Sequence, residues 1–122
     1  MNRTDGVPGP NAPASREARR YPRYNMDMRV AAQVFREGVV ESLWGRCNEI
    51  GVDGMSATLT GELQPGEVAT LEFTLPAGLI ATKIRAIVRY RKGFRHGFEF
   101  LTLTDGQGDA IQRALEMAKE ES

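Results

Sequence analysis

Arg19-Arg20-Tyr21-Pro22-Arg23 places two guanidinium groups four residues apart, and Arg16 repeats that spacing with Arg20. A guanidinium can form paired hydrogen bonds to phosphate oxygens or to the O6/N7 edge of guanine, and its flat face stacks on a base. Pro22 disfavours helix at Tyr21, so the segment is expected to be extended or turned. Two such side chains on one arm can converge on a ligand carrying several phosphates or guanines. A solvated basic linker is the other reading of this motif taken alone. A second cluster, Glu49-Ile50-Gly51-Val52-Asp53-Gly54, is a strand that breaks into a glycine-rich turn; by itself it reads as a tight connection between strands. A third stretch, Lys83 to Arg95, carries six cations and no carboxylate. Arg85 and Arg89 stand on the parity opposite its apolar residues, so they are expected on one outer face. That face either attracts an anion or is an ordinary solvated sheet surface.

The remaining chemistry-bearing residues point away from catalysis. His96 is the only histidine and shares parity with Phe94, Phe98 and Phe100, which suits a packed histidine. Glu99 is three residues along the same strand and faces the other way, so the two cannot share a metal. Cys47 shares parity with Leu43 and Gly45 and reads as an inert core thiol. No nucleophile–base pair can be assembled from one histidine and one cysteine, so an enzyme is not expected and neither a metal nor a cofactor is implied. Gly106-Gln-Gly108 lacks the third glycine and the strand–helix context of a dinucleotide fingerprint. Trp44 fits a barrel wall or a partner contact equally well.

Composition narrows the class further. The 122 residues suit one domain, and 41% apolar content is enough for one core. Sixteen cations balance sixteen carboxylates, which argues against a general nucleic-acid-coating role, although 13 of the 16 cations are arginine. One cysteine excludes an intrachain disulfide and favours a reducing compartment. No apolar run approaches the roughly 18–20 residues that span a bilayer, and the N-terminus has no signal-like apolar core. The expectation is a soluble cytoplasmic domain without membrane insertion.

The elements that must position the arginines follow from periodicity. Residues 1–15, with three prolines and two glycines, are expected to be a disordered tail, and 16–25 an arm. From Met26 the period is two. Strands are expected over 26–34, 39–50, 55–59, 69–75, 80–90 and 94–103, with turns at Glu37-Gly38, Gly51–Gly54, Gln64–Glu67 and Pro76–Gly78. Thr104-x-x-Gln107 has the form of a capping box before Ile111, Ala114, Leu115 and Ala118 at helical spacing, predicting a helix over 105–119. Glycines 106 and 108 weaken its first turn. Many short strands with no helix between them favour an antiparallel barrel or sandwich.

Taken together, the arm and the turn resemble the motifs of the PilZ domain, a bacterial module that binds the second messenger cyclic di-GMP. The family's RxxxR is matched by Arg19 and Arg23. Its D/N-x-S-x-x-G aligns with Glu49 through Gly54, and the strand FRHGFEFLTL (94–103) followed by a helix resembles its C-terminal portion. The resemblance implies a mainly all-β fold, a six-stranded antiparallel barrel with a C-terminal helix spanning 16–120 (barrel 26–103). It also implies a ligand site made of Arg19, Arg20 and Arg23 from the arm with Glu49, Gly51 and Gly54 from the turn. A carboxylate at Glu49 keeps the ability to accept hydrogen bonds from a guanine's N1–H and N2–H₂. At Gly51 the family's serine hydroxyl is missing, a loss of about 1 kcal/mol for one neutral hydrogen bond, and serine restored there together with Glu49→Asp is expected to tighten binding. The implied function is a cyclic di-GMP receptor or adaptor in bacterial signalling that acts on a downstream protein, with no DNA partner. The alternative is a degenerate PilZ-like domain that binds no dinucleotide and serves as a protein–protein interaction module.

Overall fold

The computed structural model describes residues 21–76, 78 and 81–121; the expected tail and the arm residues Arg16, Arg19 and Arg20 lie outside them. Seven strands and one helix follow in order: β1 (Tyr24–Asn25), β2 (Arg29–Arg36), β3 (Val39–Gly51), β4 (Gly54–Leu59), β5 (Val68–Phe73), β6 (Thr82–Lys92), β7 (Arg95–Phe100) and α1 (Asp105–Glu121). All pairings are antiparallel. Strands β3-β2-β5-β6-β7-β4 run round a ring, and β3–β4 pairing closes it into a six-stranded barrel. The two-residue β1 continues the edge beyond β2, pairing Tyr24 with Ile50 and Asn25 with Glu49. Closure leaves none of the six barrel strands at a free sheet edge.

The period-two pattern becomes the core. Met26, Met28, Val30, Ala32 and Val34 all join one core with Leu71 and Phe73 of the neighbouring β5 and with Ile84, Val88 and Phe98. The β2–β3 hairpin turns at Glu37 and Gly38, whose φ values of 50° and 80° need the left-handed region that glycine occupies freely. Its tip leaves Phe35, Val39 and Val40 exposed; Phe35 and Val40 pair on the outer face, where Trp44 lies farther down opposite Ala31, whereas Val39 pairs with Arg36 on the other face. Thus Trp44 is an outward-facing wall residue.

The helix begins at Asp105 in spite of its two early glycines because the capping box forms in full. Gln107 N–H donates to Thr104 Oγ1 (3.1 Å), and Thr104 N–H donates to Gln107 Oε1 (3.0 Å). Gln107 Nε2 also donates to the Lys83 carbonyl of β6 at 2.9 Å, and Ile111, Ala114 and Leu115 join the core. Toward the β2–β3 hairpin, Arg36 gathers the surface by donating to both carboxylate oxygens of Glu67 (2.8 and 3.2 Å) and to Glu41 (3.1 Å).

His96 is fully buried: Leu63 N–H donates to Nε2 (2.9 Å), so Nδ1 carries the proton and donates to the Phe94 carbonyl (2.8 Å). It is a structural crosslink, and burial holds its pKa below the ordinary 6.5. The unfolded chain takes up this proton near 6.5 whereas the folded one resists until lower pH, so stability is present above 6.5 and is lost as pH falls toward the folded value. Urea unfolding from pH 7.5 down to 5.5 is expected to show this decline in the wild type and a flatter profile in His96→Gln.

Candidate functional site

The turn that the sequence marks as special lies beneath the arm root. Gly51 ends β3, Gly54 begins β4, and the two are paired directly. Arg23 folds back over both. A Cβ on Gly51 would meet the Pro22 carbonyl oxygen at 2.7 Å and Arg23 Cγ at 3.0 Å, and a Cβ on Gly54 would meet Arg23 Nη2 at 2.9 Å. The aliphatic stem and guanidinium of Arg23 therefore lie flat on a glycine floor, and the side chain keeps only 9% of its exposure. Its Nε stands 3.9 Å from Asp53 Oδ1. The Asp53 carbonyl accepts from Phe100 N–H at 2.9 Å, tying the turn to the end of β7.

Glu49 reaches this face through a backbone irregularity. Strict alternation from Cys47 would send Glu49 into the core. Instead the β3–β4 register slips between Cys47 and Glu49, leaving Asn48 as an extra residue, so that Ile50 pairs with Met55 in the core and Glu49 stands beside Ser56 on the outer face. Glu49 is nonetheless buried, at 7% exposure. Its charge, secondary to burial, helps push the Cys47 thiol up to about 12. Cys47 is therefore expected to resist a thiol-labelling reagent at pH 8 in the folded protein and to react once urea exposes it, as the inert reading of its sequence position anticipates.

A second slip, between Val88 and Tyr90, turns Tyr90 outward although it shares parity with the apolar residues of its strand. Its ring covers Gly97, where a Cβ would stand only 1.9 Å from the ring. Next to it Arg95 Nη2 donates to the buried Ser56 Oγ at 3.2 Å. Gly51, Gly54, Ser56 and Gly97 thus form a small-residue surface bordered by Arg23, Glu49, Asp53, Tyr90 and Arg95. The sequence did not single out Tyr90 for this face because a one-residue slip leaves no mark in periodicity, and it could not place Ser56 and Arg95 there because it does not show that β4 pairs with β7.

Two expectations need correcting or completing. The cation run from Lys83 to Arg95 is countered by its neighbours: Arg89 Nε donates to Glu99 Oε1 at 2.5 Å, and Arg91 stands 3.5 Å from Glu62. Sequence shows no carboxylate in the run because both come from other strands or loops. In addition, serine at Gly51 needs Pro22 to move outward, since an added Cβ would stand 2.7 Å from its backbone carbonyl oxygen. Of the site residues expected from sequence, Arg23, Glu49, Gly51 and Gly54 come together, whereas Arg19 and Arg20 lie outside the described residues.

Beside the arm root, a groove of about 420 Å³ runs to the helix, lined by Tyr21, Pro22, Tyr24, Val52, Leu115 and Lys119 among others. No helix among the described residues is long and apolar enough to cross a membrane.

The same architecture occurs in solved proteins. The PilZ domain with c-di-GMP of YcgR from Escherichia coli superposes with a TM-score of 0.66 at 21% identity, over 84% of this chain and 92% of that one. The Bacillus subtilis inhibitor of motility, MotI/DgrA, superposes with a TM-score of 0.65 at 21% identity, over 81% of this chain and 50% of that one. At such identities the likeness establishes the fold. An uncharacterized protein of Aquifex aeolicus (strain VF5) is 31% identical, matching 85% of this chain and 53% of its own length; the chain spans about half the length of this relative. The family model described as PilZ domain matches residues 17–117, taking in the arm root, the glycine turn, the whole barrel and most of the helix, and with that match the chain belongs to the PilZ domain family.

Proposed function

We propose that this protein is a cyclic di-GMP receptor domain, a binding module of bacterial second-messenger signalling rather than an enzyme, working in the cytoplasm. The observation that carries this reading is the seating of Arg23 on the Gly51–Gly54 turn, which joins the arm and the turn into one place. YcgR's PilZ domain, of the same fold, was solved with c-di-GMP. In the proposed complex Arg23, with Arg19 and Arg20 from the arm, engages the phosphates and the O6/N7 edges of guanine through its fork of donors. Glu49 accepts from a guanine's N1–H and N2–H₂. Gly51 and Gly54 let the ligand approach the backbone closely. Because the arm root borders the groove against α1, fixing the arm on a ligand reshapes the surface shared with the helix, and a downstream protein reads that surface.

A second reading has its own support. With a glycine where the motif has serine, and with the Pro22 carbonyl lying over it, the chain also suits a PilZ domain that binds no dinucleotide and contacts a protein, with the exposed Phe35, Val40 and Trp44 on one face of the β2–β3 hairpin as its apolar surface. Calorimetric titration of cyclic di-GMP at near-physiological salt, with GTP as competitor, separates the two. Binding in the micromolar range or tighter, not displaced by GTP, is the expected result. No heat, together with an unchanged melting temperature in excess ligand, overturns the receptor reading in favour of the second.

A further inference from the structure

Asp53 occupies one of the two unspecified positions of the turn motif, so neither motif nor family match gives it a role. Its geometry does. Oδ1 is buried, accepts no hydrogen bond from the described residues, and stands 3.9 Å from Arg23 Nε. That distance suits a charge contact and is too long for a hydrogen bond. One of the two carboxylate oxygens has thus been drawn out of water without a hydrogen bond to compensate, and the adjacent guanidinium, itself 9% exposed, supplies the opposing charge. The side chain of Asp53 is 31% exposed, so it can swing toward solvent, whereas its main chain is fixed through Phe100 N–H. A fixed backbone with a releasable carboxylate beside a cation is the arrangement of an internal competitor.

We propose that Asp53 is a built-in counter-ion, a positioning residue that holds Arg23 on the turn while the site is empty and is displaced when a ligand phosphate takes its place. The inference rests on the receptor reading and deepens it. In the empty protein Asp53 neutralises Arg23, which keeps the arm root seated on Gly51. On binding, the ligand's anion competes for the same guanidinium and meets the repulsion of the carboxylate. Asp53 thereby lowers affinity and sets the concentration at which the arm responds.

The test uses the full chain. Cyclic di-GMP is titrated calorimetrically into the wild type, Asp53→Asn and Asp53→Ser, and the ligand-free melting temperature of each is measured. Asn removes the charge at constant shape; Ser is the companion because an asparagine before Gly54 can hydrolyse back to aspartate. The expected result is affinity tighter by about tenfold in both variants, the scale of one removed charge contact, with a ligand-free melting temperature equal to or below that of the wild type. A merely structural Asp53 gives no gain of binding when its charge is removed. If wild type and variants all bind and the variants bind equally or more weakly, this inference is overturned and the receptor reading stands. If none binds although all melt cooperatively, the receptor reading falls and this inference with it.

Discussion

Replacing Arg23 by alanine is expected to weaken cyclic di-GMP binding about a hundredfold while leaving a folded barrel. The size follows from what one guanidinium contributes to an anion: two charge-assisted hydrogen bonds, each worth about 1.5–3 kcal/mol, less the water they replace. Arg23 is already held in place by the glycine floor, so little ordering entropy offsets the gain. Arg23→Lys keeps the charge without the planar fork and is expected to recover only part of the loss. The fold survives because Arg23 sits on the outer surface of the turn and the core is made elsewhere. Stability should fall by roughly 1–2 kcal/mol, because Asp53 Oδ1 is left buried without its counter-charge. Calorimetry with a melting curve as control measures both. An Arg23→Ala protein that binds within about threefold of wild type would show that the ligand bypasses the seated arm root.

Gly54→Ala is expected to cost both stability and binding. An added Cβ would stand 2.1 Å from the Phe98 carbonyl oxygen and 3.1 Å from its carbonyl carbon. Both belong to the backbone of β7, so no side-chain rotation relieves the contact and β4 must part from β7 where Gly54 pairs with Glu99. Overpacking against backbone costs about 3 kcal/mol, which for a domain of this size lowers the melting temperature by roughly 10–15 °C. Binding should fall as well, since the same Cβ intrudes on Arg23 Nη2 at 2.9 Å. Gly108→Ala is the control of opposite sign: nothing lies within 4 Å of its added Cβ and the residue is helical, so it is expected to gain up to about 1 kcal/mol. A Gly54→Ala protein that melts with the wild type would mean that β4 and β7 can separate there at little cost.

The architecture was legible in the chain because its causes are local. Alternation from Met26 onward, turn residues at Glu37-Gly38, Gly51–Gly54 and Gln64–Glu67, and the Thr104–Gln107 capping box each act within a few residues, and the barrel strands and helix fall within a few residues of where those patterns put them; β1 (Tyr24–Asn25) was not expected, β2 starts at Arg29 rather than Met26, and β7 stops at Phe100 rather than 103. Arg23 and the Glu49–Gly54 turn were legible too, as spacings that fit one ligand chemistry. What the tertiary structure alone decided is which face each residue takes after a register slip, and which residues from distant strands meet. The extra residue at Asn48 turns Glu49 out of the core, and a second slip turns Tyr90 out beside Arg95. The carboxylates that answer the Lys83–Arg95 run arrive from Glu62 and Glu99. The Pro22 carbonyl, resting on Gly51, determines that serine does not fit there as the arm now lies. Such features arise because barrel closure fixes strand stagger for the whole ring at once, and a bulge that satisfies closure inverts the facing of every residue after it without changing a single local preference.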